Sequence, residues 1–292
     1  MRLRSLLFVP GDRPDRMLKA LLAGADALIL DLEDAVADGH KDVARDAIAT
    51  FLSSDKPGLP VFVRVNPLES DLVAADLALV AAKRPRGVVL PKSAGGPSVA
   101  ELERRLAALG NTDALILPIA TETPAAIFGL GTYGGASARL CGLAWGAEDL
   151  PTAIGAAMSR EADGRFTPPY EVARTLMLFG AHAAGVSAIE AVYPAVADDA
   201  GLAAYAGRGR RDGFAGMLAI HPRQVAIINA AFTPTAEEIA WARQVVAAFA
   251  ASPDAGALRV EGQMVDRPHL TRARRLLDAA LSPGRPSIEV SR

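Results

Sequence analysis

Apolar, β-branched runs recur along the chain at spacings that leave room for a helix between them. Eight stand out: RSLLFVPG (4–11), ADALILDLE (25–33), LPVFVRVN (59–66), GVVLPK (87–92), ALILPIATE (114–122), LCGLAWGAED (140–149), VSAIEAVY (186–193) and GMLAIHP (216–222). They are near-continuous rather than alternating, as strands buried on both faces of a parallel sheet must be. The segments between them carry helical spacing. Pro14 suits a first turn, Met17, Leu18, Leu21 and Leu22 form one face, and Gly24 ends it. Val43, Ala47, Ile48, Phe51 and Leu52 repeat the pattern, as do Val99, Leu102, Leu106 and Leu109. Eight alternations of strand and helix predict an α/β fold, a closed (βα)8 TIM barrel, with a large doubly wound sheet as the alternative.

The pattern changes after the eighth run, which divides the chain into a barrel over 1–232 and a C-terminal helical extension over 233–292. Thr235 and Glu238 fit a capping box for a helix with Ile239, Val246 and Phe249 near one face. A short irregular piece, LRVEGQMVDRPHL, precedes a last helix carrying Leu276 and Leu277. Before the seventh run, GAAMSREADGRFTPP (155–169) is a polar excursion suited to an active-site loop. A length of 292 residues, 51% of them hydrophobic, accommodates a barrel of about 250 residues with an extension.

Charge and cysteine content narrow the function classes. With 31 Lys and Arg against 33 Asp and Glu, the chain lacks the basic excess of a nucleic-acid-binding protein. Arg208, Arg210 and Arg211 read as a solvated helix end. Cys141 is the sole cysteine, so neither an intrachain disulfide nor a thiolate metal cage is available, and its apolar surroundings suggest an inert thiol. The opening MRLRSLLFVPGDRP reaches Pro10 before a signal-peptide core is complete, and no window approaches the roughly 18 apolar residues of a membrane span. The expectation is a cytoplasmic protein with no membrane partner.

Charged residues gather where the apolar runs end, the end at which barrel enzymes place their active sites. Asp12 and Arg13 follow the first run; Asp31, Glu33 and Asp34 end the second; Arg64 and Asn66 the third; Lys92 the fourth; Glu122 the fifth; Glu148 and Asp149 the sixth; His221 the eighth. Side chains two apart on a strand share a face, so Asp31 pairs with Glu33 and Arg64 with Asn66. Glu122 and Asp149 end consecutive strands, about 4.8 Å apart in backbone, and carboxylates that close repel unless a proton or cation lies between them. Oxygen ligands with few histidines favour a hard cation, Mg²⁺ or Mn²⁺. Arg64 offers a planar fork for a substrate carboxylate. Each residue has a plainer reading beside this one. Asp149 could cap a helix beginning near Pro151, Arg64 could neutralise Asp31 or Glu33, and His221 could be a satisfied loop histidine. Lys92 stands open between a Schiff-base amine and a partner for phosphate or carboxylate.

RSLLFVPGDRPDRM, GADALILDLEDAV, VFVRVNP, GVVLPK, WGAEDL, AIHPRQVAIINAAFTPTAEEIAWA and GQMVDRPHL together resemble the citrate lyase β-subunit-like branch of the HpcH/HpaI aldolase superfamily, across nearly the whole chain. The resemblance implies a (βα)8 barrel, a homotrimer or hexamer, and one Mg²⁺ per site. Glu122 and Asp149 would be the metal ligands, Arg64 the carboxylate clamp, and Asp31 and Glu33 would orient the metal's waters. It also implies that Asp266, in QMVDRPH, reaches a neighbouring subunit's site as acid/base, a role the residue's own context does not suggest. The reaction implied is cleavage or formation of a 3-hydroxyacyl-CoA such as malyl-, citramalyl- or citryl-CoA, with acetyl-CoA and a 2-oxo acid as the other side. Arg13, Arg16 or Lys19 would meet the CoA phosphates. Three alternatives stay open: a citrate lyase β-subunit acting on a carrier-bound citryl thioester, a CoA-independent pyruvate-class aldolase, and a catalytically silent binding barrel. A metal-bound water beside a thioester would also allow thioesterase activity. The chain departs from the branch at Thr121 and Pro124, which flank Glu122, and at Met217 and Pro194, all of which bear on the acyl group.

Overall fold

The eight apolar runs form eight parallel strands: β1 (Ser5–Pro10), β2 (Ala27–Asp31), β3 (Val61–Arg64), β4 (Gly87–Leu90), β5 (Leu115–Pro118), β6 (Gly142–Ala144), β7 (Ser187–Glu190) and β8 (Gly216–Ala219). The computed structural model describes residues 1–54, 58–162 and 164–281; position 163 of the polar excursion and residues 282–292 of the extension lie outside the described residues. The strand order is β5-β4-β3-β2-β1-β8-β7-β6. Parallel bridges Ile116↔Leu140 and Ile119↔Ala144 join its two edges, and the Ala120 N–H donates to the Ala144 carbonyl at 2.8 Å. The sheet thereby closes as a (βα)8 barrel.

Every strand sends a residue into one buried cluster: Leu6, Ile29, Phe62, Val89, Leu117, Ala144, Ile189 and Leu218. This is the packed interior expected of an eight-stranded barrel, which has no pore. Size is matched across strands. A Cβ on Gly87 would lie 2.4 Å from the Phe62 ring, so the glycine makes room for the largest side chain of the layer.

Helices α1 (Pro14–Ala20), α2 (Lys41–Ser53), α3 (Val73–Lys83), α4 (Gly96–Ala108), α5 (Pro124–Gly129), α6 (Asp149–Ile154), α7 (Pro168–Ala183), α8 (Asp199–Asp212) and α9 (Pro222–Ala231) alternate with the strands, two of them between β6 and β7. Proline in the first turn starts α1, α4, α5 and α7, where its missing N–H costs nothing. The buried faces agree in part with those the spacing suggested: Met17, Ile48, Phe51, Val99, Leu102 and Leu106 are buried. Leu18, Leu22, Val43 and Leu109 are exposed, while α1 buries Met17 and Ala20 and α2 buries Ala44, Ile48 and Phe51. α1 ends at Ala20, so Leu21 and Leu22 never join its face. In α1 and α2 the inward positions beside Met17, Ile48 and Phe51 are the alanines Ala20 and Ala44, while α4 buries Val99, Leu102 and Leu106.

The described residues divide into two compact units, Leu3–Ala231 and residues 232–281 together with Met1 and Arg2. The second unit comprises α10 (Ala236–Ala251), β9 (Ala257–Val260), β10 (Gln263–Asp266) and α11 (Arg267–Leu281). The Thr235–Glu238 capping box forms in both directions. The piece expected to be irregular is an antiparallel hairpin, because Glu261 and Gly262 both adopt positive φ, 47° and 80°, the backbone of a two-residue turn that matches strand twist. Val245, Phe249, Val260, Val265, Leu270 and Ala273 give this unit its own core.

Gly11 tests how tightly the end of β1 is set. Its N–H donates to the Asp31 carbonyl at 2.9 Å, and a Cβ there would meet that same oxygen at 2.4 Å and Ile48 Cδ1 at 2.9 Å. Gly11→Ala is expected to cost about 1–3 kcal/mol through overpacking against backbone. Urea unfolding followed by circular dichroism measures this, and an unchanged midpoint contradicts it.

Candidate active site

The β2–β3 register creates the first element of the site. Asp31 and Arg64 are direct neighbours across the two strands, and both end their strands. Arg64 donates from Nε to Asp31 Oδ1 at 2.7 Å and from Nη2 to Oδ2 at 2.6 Å, while Nη1 lies 2.8 Å from Glu33 Oε2. Its guanidinium also sits 4.8 Å from the Phe8 ring centre, a cation–π contact. Burial disfavours the charged form of Arg64, but the hydrogen bond and charge of Asp31, then Glu33, outweigh it and hold the group protonated. The ion pair weighed in the sequence therefore exists, and Arg64 still lines the pocket at the barrel mouth.

Glu33 joins Arg64 to the next strand. Lys92 Nζ donates to Glu33 Oε1 at 2.6 Å. Burial raises the Lys92 ammonium's difficulty of staying charged, yet its bond to Glu33 and the charges of Glu33 and Asp149 lift its pKa. A lysine held protonated is a poor Schiff-base nucleophile, so the structure favours the carboxylate-partner reading. Burial pushes the Glu33 pKa up against the pull of Arg64 and Lys92. Glu33 Oε2 accepts no hydrogen bond, because Arg64 Nη1 is close enough for an ion pair but misdirected. Lys41, buried as well, caps the carbonyls of Leu32 and Glu33 at 2.8 Å each.

Lys92 has a second role that its side chain does not announce. Its φ is +51°, an uncommon conformation outside glycine, and its N–H donates to Glu122 Oε2 at 2.5 Å. Thr121 fixes the same segment to β6: its Oγ1 donates to the Gly146 carbonyl at 3.0 Å and accepts the Gly146 N–H at 2.9 Å. A Cβ on Gly146 would lie 2.8 Å from Glu122 Cγ, so this glycine leaves the space that the Glu122 side chain occupies. Glu122 is 4% exposed, and burial pushes its pKa up to about 8, reinforced by Glu33 and Asp149 and opposed by the Lys92 N–H and Arg64.

Asp149 is the first residue of α6, and among the described residues no side chain caps that helix. The capping role considered for Asp149 is not the one it takes; its half-buried carboxylate has no hydrogen-bond partner among the described residues. Glu122, Asp149, Arg64 and Asp31 all line one pocket of about 240 Å³. Among the described residues Arg64 is the only cation in that lining, against Asp31, Asp34, Glu122, Glu148 and Asp149.

This donor set suits a hard cation. A lifted Glu122, an unpartnered Asp149 and a surplus of carboxylates are what a divalent ion would relieve. Among the described residues no three His, Cys, Asp or Glu side chains converge, so the protein would supply two oxygens and leave the rest to water and substrate, as Mg²⁺ sites commonly do.

Other candidates lie elsewhere. Asn66 does not join Arg64: β3 ends at Arg64, alternation stops there, and Asn66 donates to Asp76 Oδ2 at 2.7 Å and the Leu32 carbonyl at 3.1 Å. Arg13 is exposed and 3.6 Å from Asp12. A second hollow of about 480 Å³, between β1, β8 and α1, is lined by Arg16, Lys19 and His221 but not Arg13. His221 Nδ1 accepts the Arg223 N–H at 3.2 Å, the satisfied loop histidine of the plainer reading. Burial raises the Cys141 thiol to about 12. Asp266 ends β10 in the second unit, with His269 Nδ1 at 2.5 Å from its Oδ1, and that hydrogen bond holds its carboxyl below the usual range. Sequence reasoning passed over Glu190, fully buried at the end of β7; the available signal was a lone carboxylate inside the apolar run SAIEAV.

A family model described as HpcH/HpaI aldolase/citrate lyase matches residues 4–222. A citrate lyase subunit beta-like protein of Mycobacterium tuberculosis is 37% identical over 275 residues, covering 94% of each chain. A (3S)-malyl-CoA thioesterase of Cereibacter sphaeroides is 34% identical over 280 residues, covering 95% of this chain and 94% of that one. Among solved structures, CitE of M. tuberculosis in complex with magnesium, acetoacetate and coenzyme A superposes with a TM-score of 0.80 at 36% identity, covering 96% of this chain and 98% of that one.

The lifted Glu122 makes a prediction about the metal-free protein. Its ordinary pKa of 4.5 applies to the unfolded chain and about 8 to the folded one, so the folded state binds more protons between those values and loses stability as pH rises through them. Glu122→Gln should flatten that decline. Urea midpoints across the window give the two slopes, and parallel curves for wild type and variant contradict the assignment.

Proposed function

Because the chain belongs to the HpcH/HpaI aldolase/citrate lyase family, we propose that it is a Mg²⁺-dependent lyase acting on a 3-hydroxyacyl-CoA such as malyl-, citramalyl- or citryl-CoA, releasing or condensing acetyl-CoA and a 2-oxo acid. One observation carries this reading: Glu122, with its lifted pKa, and the unpartnered Asp149 line the same pocket as Arg64. Magnesium and coenzyme A in the M. tuberculosis CitE complex support the choice of ion and thioester.

Glu122 and Asp149 would hold the ion, which would supply Lewis-acid stabilisation of the alkoxide formed when the 3-hydroxyl loses its proton; as the carbon–carbon bond breaks that oxygen becomes the 2-oxo carbonyl, and the proton it lost balances the one the enolate carbon gains. Arg64, protonated and fixed by Asp31 and Glu33, holds the substrate carboxylate and orients the scissile bond before reaction. The Lys92 N–H fixes one Glu122 oxygen, so the carboxylate enters the reaction already placed. The acetyl-CoA enolate left by cleavage needs a proton at carbon, and condensation needs that proton removed. Asp266 is assigned this transfer, supplied by a neighbouring copy in a homo-oligomer; His269 favours its ionised form, the one that accepts a proton in condensation. Arg16 and Lys19, in the hollow beside β1 and β8, suit the CoA phosphates better than Arg13 does.

The thioesterase relative favours a second reading, hydrolysis of the same thioester. One assay separates them. Purified protein with Mg²⁺ and malyl-, citramalyl- or citryl-CoA is monitored for 2-oxo acid and for free CoA thiol. A lyase releases the oxo acid with no thiol, and a thioesterase releases thiol. Neither product, with a carrier-bound citryl thioester cleaved, would indicate the citrate lyase β role, and cleavage of free hydroxy acids a pyruvate-class aldolase.

Asp149→Ala and Glu122→Ala are expected to lower kcat/KM by more than the roughly 100-fold that residues behind a metal's ligands typically cost. Chelation should mimic them, with Mg²⁺ restoring only the wild type. Asp266→Ala should be similarly impaired, and mixing it with Asp149→Ala should recover activity through sites that draw intact residues from two copies. Full activity in Asp149→Ala removes the metal assignment; full activity in Asp266→Ala removes the acid/base assignment alone.

A further inference from the structure

Backbone pairing between β5 and β6 ends before the residues that carry the chemistry. Among the described residues its last rung is the Ala120 N–H donating to the Ala144 carbonyl at 2.8 Å. In a parallel ladder the next groups due on the β6 side are the N–H and carbonyl of Gly146, and both go to one side chain. Thr121 Oγ1 accepts the Gly146 N–H at 2.9 Å and donates to the Gly146 carbonyl at 3.0 Å. A hydroxyl has one hydrogen to give, and here it is committed to that carbonyl. Thr121 is fully buried, and its β-branch restricts the χ1 that aims the hydroxyl. The side chain is a fixed crosslink that takes over where the sheet stops.

The crosslink sits one residue from Glu122 and three from Asp149. Glu122, Gly146 and Asp149 line the pocket, whereas Thr121 lies behind that lining. This threonine, one of the departures from the branch pattern, therefore reaches the site only through the residues it ties. Glu122 is held on its other side by the Lys92 N–H on Oε2. A Cβ on Gly146 would meet Glu122 Cγ at 2.8 Å and Oε1 at 3.2 Å, so the carboxylate packs directly on the backbone that Thr121 draws in. Were Gly146 to move away from Thr121, Glu122 would lose the surface it rests on, and Asp149 would shift with the same segment.

Ion size makes that spacing consequential. Mg²⁺ demands near-ideal octahedral geometry with oxygens at about 2.0–2.1 Å, while Ca²⁺ accepts about 2.3–2.6 Å and irregular arrangements. Two carboxylates on a rigid span disfavour the larger ion, and on a slack span they accommodate both. We propose that Thr121 is a positioning residue for the metal: by tying the Glu122 segment to Gly146 it sets the reach between Glu122 and Asp149, and so gives the site its preference for Mg²⁺ over Ca²⁺. The assignment rests on the reading that these two carboxylates hold the ion.

The test reads ion binding without turnover. Mn²⁺ is added to the metal-free protein, free Mn²⁺ is measured by its electron paramagnetic resonance signal, and Mg²⁺ or Ca²⁺ is titrated in to displace it. Thr121→Val keeps the shape of the side chain and removes both hydrogen bonds. It should lower the ratio of the Ca²⁺ to the Mg²⁺ dissociation constant by about tenfold, the lower end of what residues behind a metal's ligands typically cost. Thr121→Ser, which keeps the hydroxyl, should retain the wild-type ratio. A role confined to stability would lower the melting temperature of Thr121→Val and leave the ratio alone, and that outcome overturns the assignment. Should Thr121→Val fail to fold, Thr121→Cys, whose thiol is a weaker hydrogen-bonding group, decides the point by the same ratio. Asp149→Ala separates the assignment from the reading beneath it. If that variant binds Mn²⁺ as the wild type does, the ligand reading falls and takes the assignment with it. If it loses Mn²⁺ while the Thr121→Val ratio is unmoved, the assignment alone falls.

Discussion

A guanidinium placed under the mouth of a barrel cannot shed its proton, so the surrounding chain has to neutralise it. The Arg64 side chain is 12% exposed, and nearly every polar feature on that side of the barrel follows from it. Asp31 faces it because the β2–β3 register puts the two residues side by side; a slip of one residue would turn one of them outward. Glu33 completes the neutralisation, and then needs Lys92, whose chain direction in turn presents an N–H to Glu122. Each buried charge calls for the next. The sequence of compensations stops one cation short, with Glu122 lifted and Asp149 unpartnered. A site that stays short of positive charge is one prepared to bind it.

Placing these groups depends on positions where side chains are small or the backbone is unusual. Gly11 lets the end of β1 reach the Asp31 carbonyl, and Gly146 leaves room for Glu122. Thr121 stitches the ends of β5 and β6 with two hydrogen bonds to one residue, so the segments that lead to Glu122 and Asp149 are tied by more than strand pairing. Lys92 adopts positive φ without being glycine, a conformation that persists only where its surroundings over-determine it, and here Glu33 and Glu122 hold both of its ends.

The barrel was legible because strands buried on both faces announce themselves as unbroken apolar runs, and the strand-end carboxylates were legible because they interrupt those runs. The helical faces were legible in part: Met17, Ile48, Phe51, Val99, Leu102 and Leu106 are buried, but Leu18 and Val43 fit the periodicity as well as Ala20 and Ala44 do, and only packing on the barrel sorts them. Alternation failed at Asn66 because it lies past the end of its strand, where the rule no longer holds. The hairpin in the C-terminal unit depended on Glu261 accepting positive φ, which nothing in its residue type foretells. The Lys92 N–H was invisible for a different reason: a backbone donor has no letter in the sequence. Glu190 was hidden by distance, since the Arg174 that neutralises it belongs to a helix whose own pattern is complete without it.

Two buried glutamates at the same end of the barrel show how environment sorts identical side chains into different uses. Glu190 receives five donors, two of them from the Arg174 guanidinium, so its charge is committed to holding Trp145, Tyr205 and Arg174 in place. Glu122 receives one N–H, shares its field with Glu33 and Asp149, and is left with a pKa near 8. A carboxylate whose lone pairs are all committed can only shape what lies beside it. A carboxylate with too few donors and too many like charges gains by meeting a cation, and the difference in free energy is what the fold makes available for binding. Hydrogen-bond count thus separates the two: the satisfied glutamate stiffens the packing around it, and the one with a single donor faces the pocket.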